Sequence, residues 1–519
     1  MRKIALLAAT LLLTAATAVA QRHGMLRYNC MPQTEANADG SSPAKAPPRK
    51  LTLKDKWDAT RTYPVAVVLV SYSDLGFAAG DPAIGTTLGD ISDVRERYDR
   101  MFNETGFNRS RGPGCVREYF QEQSGGRFNP RFDVYGPITI NATSNSYNGK
   151  NKYGANNFRE AVQQLADTTT ADFSVYDWDS DGRAEAIVIV YAGYGGNDSN
   201  VENNNYCWPN TNSFTAVEVG GTKVSRFSAS AELWYDDRSF GIGTICHEYC
   251  HTLGLPDIYP TDGDEYSVCD EWDLMDGGNY SNNGWCPPNL SGHEKMLLGW
   301  LTPQELTGPV TIRQMKSIAE GGPVYRISTT DDDEFFLLEN RQWNGWDMRS
   351  PGHGLLISHI DYDRAAWSAN TVNSNPAHHR YDLVHADGRD YDAWEDYWLQ
   401  TYGDSVSPYV NHHTMLLSGT PYPYVTDSVC NYALTDSTMP AATTYSGTKL
   451  LSKPITDIRE DEDGCISFHF MGGDTSGISE LPNSEATRQE AAYDLQGRPV
   501  TAPGYRGLVI VGGRKQVVR

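Results

Sequence analysis

Ile245-Cys246-His247-Glu248-Tyr249-Cys250-His251-Thr252-Leu253-Gly254-Leu255-Pro256-Asp257-Ile258-Tyr259 is the stretch from which the rest of the chain can be read. Two histidines four apart on a helix lie on one face, so both imidazoles reach one metal ion. Glu248 stands beside the first of them, where a carboxylate can hold and deprotonate a water. Gly254 lets the chain leave the helix abruptly, because it tolerates positive φ. That turn brings Asp257 back as a third ligand and leaves a fourth position open. A bare His-Glu-x-x-His arises by chance at roughly the per cent level in a chain this long; Gly and Asp at fixed offsets lower that to about 10⁻⁴.

Upstream, Pro64–Tyr72 and Ala186–Tyr191 are continuous apolar runs of strand length, as expected of strands covered on both faces. Helical periodicity lies between and around them, at Ile91–Met101, Val116–Gln123 and Phe158–Leu165. Beyond Thr302 the pattern shifts to short strands with turns: Val310–Arg313, Val324–Ile327, Glu334–Glu339, Gly354–Ile360 and Ile466–Phe470. The expected fold class is α+β. A catalytic domain over 62–302, built of a twisted sheet and the active-site helix, precedes a β-rich domain over 303–471, a linker over 472–490 and a small β module over 491–519.

The 519 residues are 39% hydrophobic and 21% charged, a globular mix. With 43 Lys+Arg against 66 Asp+Glu the formal charge is −23, which disfavours nucleic acid and anionic lipid as partners. Arg2 and Lys3, the apolar run Ile4–Ala16 and the Ala18-Val19-Ala20 cleavage site form an export signal over 1–20. Residues 21–61 read as a leader or propeptide. Nine cysteines in an exported chain predict disulfides with one free thiol or an intermolecular bond, and Cys246 and Cys250, beside the two histidines on the helix, read as small buried thiols.

Beyond the histidine helix, Val116-Arg117-Glu118-Tyr119-Phe120, Ser124 to Phe128, Trp272-Asp273-Leu274-Met275-Asp276-Gly277-Gly278, Glu294-Lys295, Gly299-Trp300, Leu338-Glu339-Asn340-Arg341-Gln342 and Pro351 to His359 form a series of blocks. Together with the helix they resemble the M6, immune inhibitor A-type, secreted zinc metallopeptidases, which are related to metzincins; the resemblance covers about residues 62–470. It implies a metzincin-like catalytic domain in which His247 and His251 hold zinc and Glu248 is the general base. Asp257 matches the family's third-ligand position, with a downstream carboxylate, Asp262 or Glu271, as the alternative. Met275 lies in the segment similar to the Met-turn, a structural thioether floor under the metal. The implied reaction is amide hydrolysis by a zinc-bound water that Glu248 deprotonates, with Tyr280 as a candidate oxyanion donor.

Asp177-Trp178-Asp179-Ser180-Asp181-Gly182-Arg183-Ala184-Glu185 alternates acidic side chains around a glycine turn. Oxygens from Asp177, Asp179, Asp181 and Glu185, with the Arg183 carbonyl, suit structural Ca²⁺; Val188 stands where a full EF-hand has its bidentate Glu. A solvated acidic turn is the plain alternative. Cys30 in the leader can act as a latch on the open zinc position, or simply pair with another cysteine. Tyr493–Lys515 resembles the C-terminal sorting signals of Bacteroidetes type IX cargo, which implies outer-membrane secretion machinery as a partner and a secreted or surface location. Three functions remain open from sequence: an endopeptidase acting on proteins, a zinc hydrolase acting on cell-wall or other non-protein amides, and a surface binding protein with a vestigial zinc site.

Overall fold

The computed structural model describes residues 57–78, 93–107, 111–148, 151–198, 205–235, 237–261, 268–390 and 417–474, with strand backbone at 492–493, 507–511 and 514–518. Strand β1 (Tyr63–Ser71) is the centre of the first sheet. Parallel to it run β2 (Pro130–Thr139) on one side and β3 (Ile187–Tyr194) on the other. Next to β3 comes β5 (Thr222–Leu233), also parallel, and β4 (Asn210–Val219) closes the edge antiparallel to β5. The order is β2-β1-β3-β5-β4.

The unbroken apolar character of β1 and β3 follows from cover on both faces. Val65, Val67 and Leu69 of β1, with Val188 and Val190 of β3, enter one core. It also takes in helix α1 (Val94–Asn103) through Tyr98 and Phe102, helix α2 (Val116–Gln123) through Tyr119 and Phe120, and the histidine helix. Ala66, Val68 and Val70, with Ile187, Ile189 and Tyr191, face a second core against helix α3 (Ala155–Thr168), which contributes Phe158, Ala161, Val162 and Leu165. The 2-residue side-chain period of a strand thus sorts successive residues to opposite layers.

The histidine helix is α4 (Gly243–Leu253), buried along its whole length. Gly254 caps it at φ 108°, and its N–H reaches back to the carbonyls of Cys250 and His251. A short helix α5 (Gly292–Leu297) follows, opened by a capping box between Ser291 and Glu294. Beyond it, β6 (Gln304–Glu305), β7 (Val310–Met315), β8 (Tyr325–Ser328), β9 (Glu334–Arg341) and β10 (Gly354–Asp361) precede helix α6 (Arg364–Ala369) and β11 (Tyr381–Leu383). These strands build a second sheet, β11-β10-β9-β8-β6. In a third sheet, β13 (Ile466–Phe470) lies between β7 and β12 (Ile455–Glu460) and pairs antiparallel with both.

One apolar core crosses residue 302, since Leu298 and Trp300 share it with Ile318, Phe335, Leu356 and Trp367. The chain divides into two compact units at Asp474/Thr475. In the second, Ala492–Tyr493, Gly507–Val511 and Arg514–Val518 pair as an antiparallel three-stranded sheet. Among the described residues no helix is long and apolar enough to cross a membrane. The export signal, the leader and Cys30 lie outside the described residues.

The expected disulfides are absent from the described residues. Cys115, Cys207, Cys246, Cys250, Cys269, Cys286, Cys430 and Cys465 are all free thiols. The first six are buried and fill core positions as small apolar side chains. Cys115 also caps α2, its sulfur accepting the Glu118 N–H. Counting cysteines in pairs therefore misreads Cys115, Cys207, Cys269 and Cys286, whereas Cys246 and Cys250 are the small buried thiols that their place on the helix suggests.

Candidate metal centre and active site

Helix α4 places His247 and His251 one turn apart with their rings almost perpendicular, centroids 4.8 Å apart. Nδ1 of His247 lies 2.8 Å from the Leu274 carbonyl, and Nδ1 of His251 lies 2.8 Å from the Leu255 carbonyl. A carbonyl only accepts, so each Nδ1 carries the proton and each Nε2 presents a lone pair. The turn at Gly254 returns the chain so that Asp257 Oδ1 stands 3.3 Å from Nε2 of His247 and 3.0 Å from Nε2 of His251.

Such a knot of acceptors is buried: His247 and Asp257 are fully enclosed, and His251 Nε2 has no hydrogen-bond partner. Lone pairs pressed together out of water repel unless a cation lies among them. The spacing suits one. Ligands held tetrahedrally at the zinc distance of about 2.0–2.1 Å stand about 3.3–3.4 Å from one another. Two imidazoles and a carboxylate are a donor set that a divalent transition metal such as zinc accepts.

Glu248, the residue after His247 on α4, is buried as well. Thr211 of the edge strand β4 holds it, with Oγ1 3.0 Å from Glu248 Oε2 and 2.6 Å from the Glu248 carbonyl. Oε1 is buried with no hydrogen-bond partner, so one oxygen is oriented and the other unengaged. Of the alternative third ligands, Glu271 is buried but does not join the cluster of metal-type donors, and Asp262 lies outside the described residues.

Met275 is fully buried; its N–H donates to Asp273 Oδ1, and its carbonyl accepts the Ile258 N–H. The 272–278 turn is thereby tied to the segment that carries Asp257, while Leu274 next door supplies the acceptor for His247. Tyr280 ends a short 3₁₀ turn, Gly277–Tyr280, and its hydroxyl accepts from Asn197 Nδ2 at 3.0 Å.

The other blocks converge beneath this turn. Arg341 of β9, wholly buried, gives two hydrogen bonds to Asp347, one to Glu339 and one to the Asn289 carbonyl. Asn289 Oδ1 accepts from Gln123 of α2, and Glu339 Oε2 accepts the Gly292 N–H at the start of α5. Burial raises the carboxyls of both Asp273 and Glu294, Glu294 far more, and the negative charge of nearby Asp273 adds to the rise at Glu294. Burial also lowers the Lys295 ammonium to about 8, against the pull of Glu339.

The acidic loop is assembled only in part as its sequence suggests. Asp177, Asp179 and Glu185 bring donor atoms within 4.8 Å of one another. Asp181 is outside that cluster; its Oδ1 accepts the Arg183 N–H at 2.9 Å. Asp177 accepts the N–H groups of Asp181 and Gly182, which folds the loop around it.

Sequence reasoning missed Thr211, the carbonyls of Leu255 and Leu274, and Asn370, which contacts Asp257. A carbonyl has no side-chain signature, and Thr211 and Asn370 reach the site only through tertiary packing.

Residues 55–298 match the family model described as Immune inhibitor A peptidase M6, catalytic domain. Over 269 residues the chain is 24% identical to Immune inhibitor A of Bacillus thuringiensis subsp. alesti, a match covering 44% of this chain and 39% of that protein. Over 276 residues it is 26% identical to Pre-pro-metalloprotease PrtV of Vibrio cholerae serotype O1 (strain M66-2), covering 46% of this chain and 30% of that one. The chain thus spans well under half the length of these curated relatives.

Proposed function

We propose that this chain, which belongs to the M6 peptidase family through residues 55–298, is an exported zinc-dependent endopeptidase with a metzincin-like site. The observation that carries the reading is the buried convergence of His247 Nε2, His251 Nε2 and Asp257 Oδ1, with Glu248 buried on the same helix as the two histidines. These three side chains are the proposed zinc ligands. Zinc, when bound, supplies a Lewis acid that polarises the scissile carbonyl and acidifies a water next to it. Glu248 Oε1 takes the proton of the attacking water and passes it to the leaving nitrogen. Thr211 keeps the carboxylate aimed, and Tyr280, oriented by Asn197, donates to the oxyanion. Leu274 and Leu255 fix both imidazoles in the ligating tautomer.

Asp177, Asp179 and Glu185, with backbone oxygen from Arg183, are the proposed Ca²⁺ ligands, and Asp181 shapes the loop that presents them. A calcium ion there braces the approach to β3. The reading of residues 1–20 supports export, and the likeness of Tyr493–Lys515 to a sorting signal supports passage to the cell surface or beyond. PrtV's printed name as a pre-pro-metalloprotease is in keeping with a removable leader over 21–61.

The test is casein hydrolysis by the chain lacking residues 1–54, which keeps the matched residues 55–298 whole, wild type beside Glu248→Gln, with zinc measured in both. Zinc in both proteins and cleavage by wild type alone supports the reading. Zinc in both and cleavage by neither favours a non-protein amide or a binding role.

A further inference from the structure

The third donor is gripped from outside the residues of the family match. Asp257 lies within residues 55–298, but its side chain is gripped by Asn370, well beyond them. Asn370 Nδ2 donates to Asp257 Oδ2 at 2.6 Å, and Asn370 Oδ1 accepts the Asp257 N–H at 2.6 Å. These two bonds close a ring that fixes the carboxylate's rotation. Oδ2 is turned to the amide and Oδ1 to the two histidine nitrogens.

The scaffold behind this grip is rigid. Asn370 caps α6 in the left-handed region, at φ 59° and ψ 43°, a conformation Asn adopts more readily than most side chains. Trp367 anchors α6 in the same core as α4. The Asn370 carbonyl accepts from Thr261 Oγ1 at 2.5 Å, and Asn373 Nδ2 donates to the Ile258 carbonyl at 2.9 Å. Segment 257–261 is therefore strapped to segment 370–373 along its length. Asn370 itself is 4% exposed, so water does not compete for these bonds.

Chemistry explains the residue type. One neutral amide provides a donor for Oδ2 and an acceptor for the N–H; a carboxylate offers only the second. We propose that Asn370 is a positioning residue of the metal site. It holds Asp257 so that Oδ1 alone faces the metal, and the region after residue 302 thereby completes a centre whose ligands all precede it. This rests on the zinc reading of His247, His251 and Asp257.

The experiment uses the chain after its export signal, residues 21–519, as wild type, Asn370→Gly and Asn370→Asp. Asn370→Gly deletes the amide while keeping the left-handed backbone at no steric cost. Asn370→Asp keeps size, cap conformation and N–H acceptor, but replaces the donor to Oδ2 by a carboxylate oxygen that repels it. Zinc dissociation constants come from chelator competition, and the d–d spectrum of the cobalt-substituted protein reports coordination number. Both variants are expected to bind zinc about 10–100-fold more weakly than wild type. In Asn370→Gly, release of Oδ2 to the metal is expected to weaken the cobalt absorption, as coordination rises above four. A residue that only stabilises the fold lowers the unfolding midpoint but moves neither quantity in folded protein. Wild-type affinity and spectrum in both variants overturn the proposal while leaving the zinc reading intact. A wild type that binds no zinc removes that reading, and this inference with it.

Discussion

Replacing Arg341 with Met tests whether the buried polar network under the 272–278 turn holds the two halves of the large unit together. The guanidinium is fully enclosed and lies 2.6 and 2.8 Å from the two oxygens of Asp347 and 2.8 Å from Glu339 Oε1. Its loss leaves two buried carboxylates without their main counter-charge. Neither is stripped bare: Asp347 keeps the N–H and side-chain amide of Asn289, and Glu339 keeps the Gly292 N–H. Breaking a buried ion pair by removing one partner costs about 3–5 kcal/mol. With a denaturant slope of about 4 kcal/mol per molar urea for a unit of this size, the midpoint falls by about 1 M. Tryptophan fluorescence during urea unfolding reads it directly, because Trp272 and Trp346 are both buried beside this network. A second variant separates charge from packing. Arg341→Met with Glu339→Met and Asp347→Leu leaves no uncompensated charge, and it is expected to recover at least half of the lost midpoint. A single-variant shift under about 0.3 M refutes the premise that charge compensation holds this junction. So does a triple variant no more stable than the single one.

Other outcomes follow from the same physical reasoning. In native protein without reductant, iodoacetamide at pH 8 is expected to label Cys430 and to spare Cys115, Cys207, Cys246, Cys250, Cys269 and Cys286. Burial pushes all six thiols up, Cys115 to about 11 and Cys286 to about 12. Denaturant alone should then expose the six to the reagent, and mass spectrometry showing that any of them also needs a reductant contradicts the free-thiol assignment. Glu334 predicts an acid limit. Burial alone would raise its carboxyl, but hydrogen bonds from His359, Ser446 and the Tyr445 N–H outweigh that and lower it to about 2. Its stabilisation is present above the ordinary value of 4.5 and is lost as pH falls from there toward 2. The gap in unfolding midpoint between wild type and Glu334→Gln should therefore narrow from pH 6 to pH 3, and a gap that stays constant counts against this assignment.

What could be read in the sequence was local. His247, Glu248 and His251 declare their shared face by spacing alone, and Gly254 announces the turn that follows. The apolar runs of β1 and β3 announce burial on both faces. The β4–β5 hairpin carried an unread signal: Gly220 and Gly221, both at positive φ, sit between two alternating stretches, the pattern of a two-residue turn. The cysteines misled because parity is informative only when thiols cross-link, and here burial gives six of them another task. Asp181 misled in a similar way, since an acidic side chain in a turn is equally suited to capping a backbone N–H, and it does so for Arg183. Asn370 had no local signature at all. It follows Asp257 by 113 positions, and its only sequence trait is that of a helix C-cap. The blocks around Gln123, Glu294 and Glu339–Arg341 were visible as a resemblance with no physical content until the fold brought them together. Their joint use explains why a metal helix alone is insufficient. Two imidazoles and a base can be written into eleven residues of helix, whereas the orientation of the third donor and the burial that makes it effective depend on residues from both ends of a large compact unit.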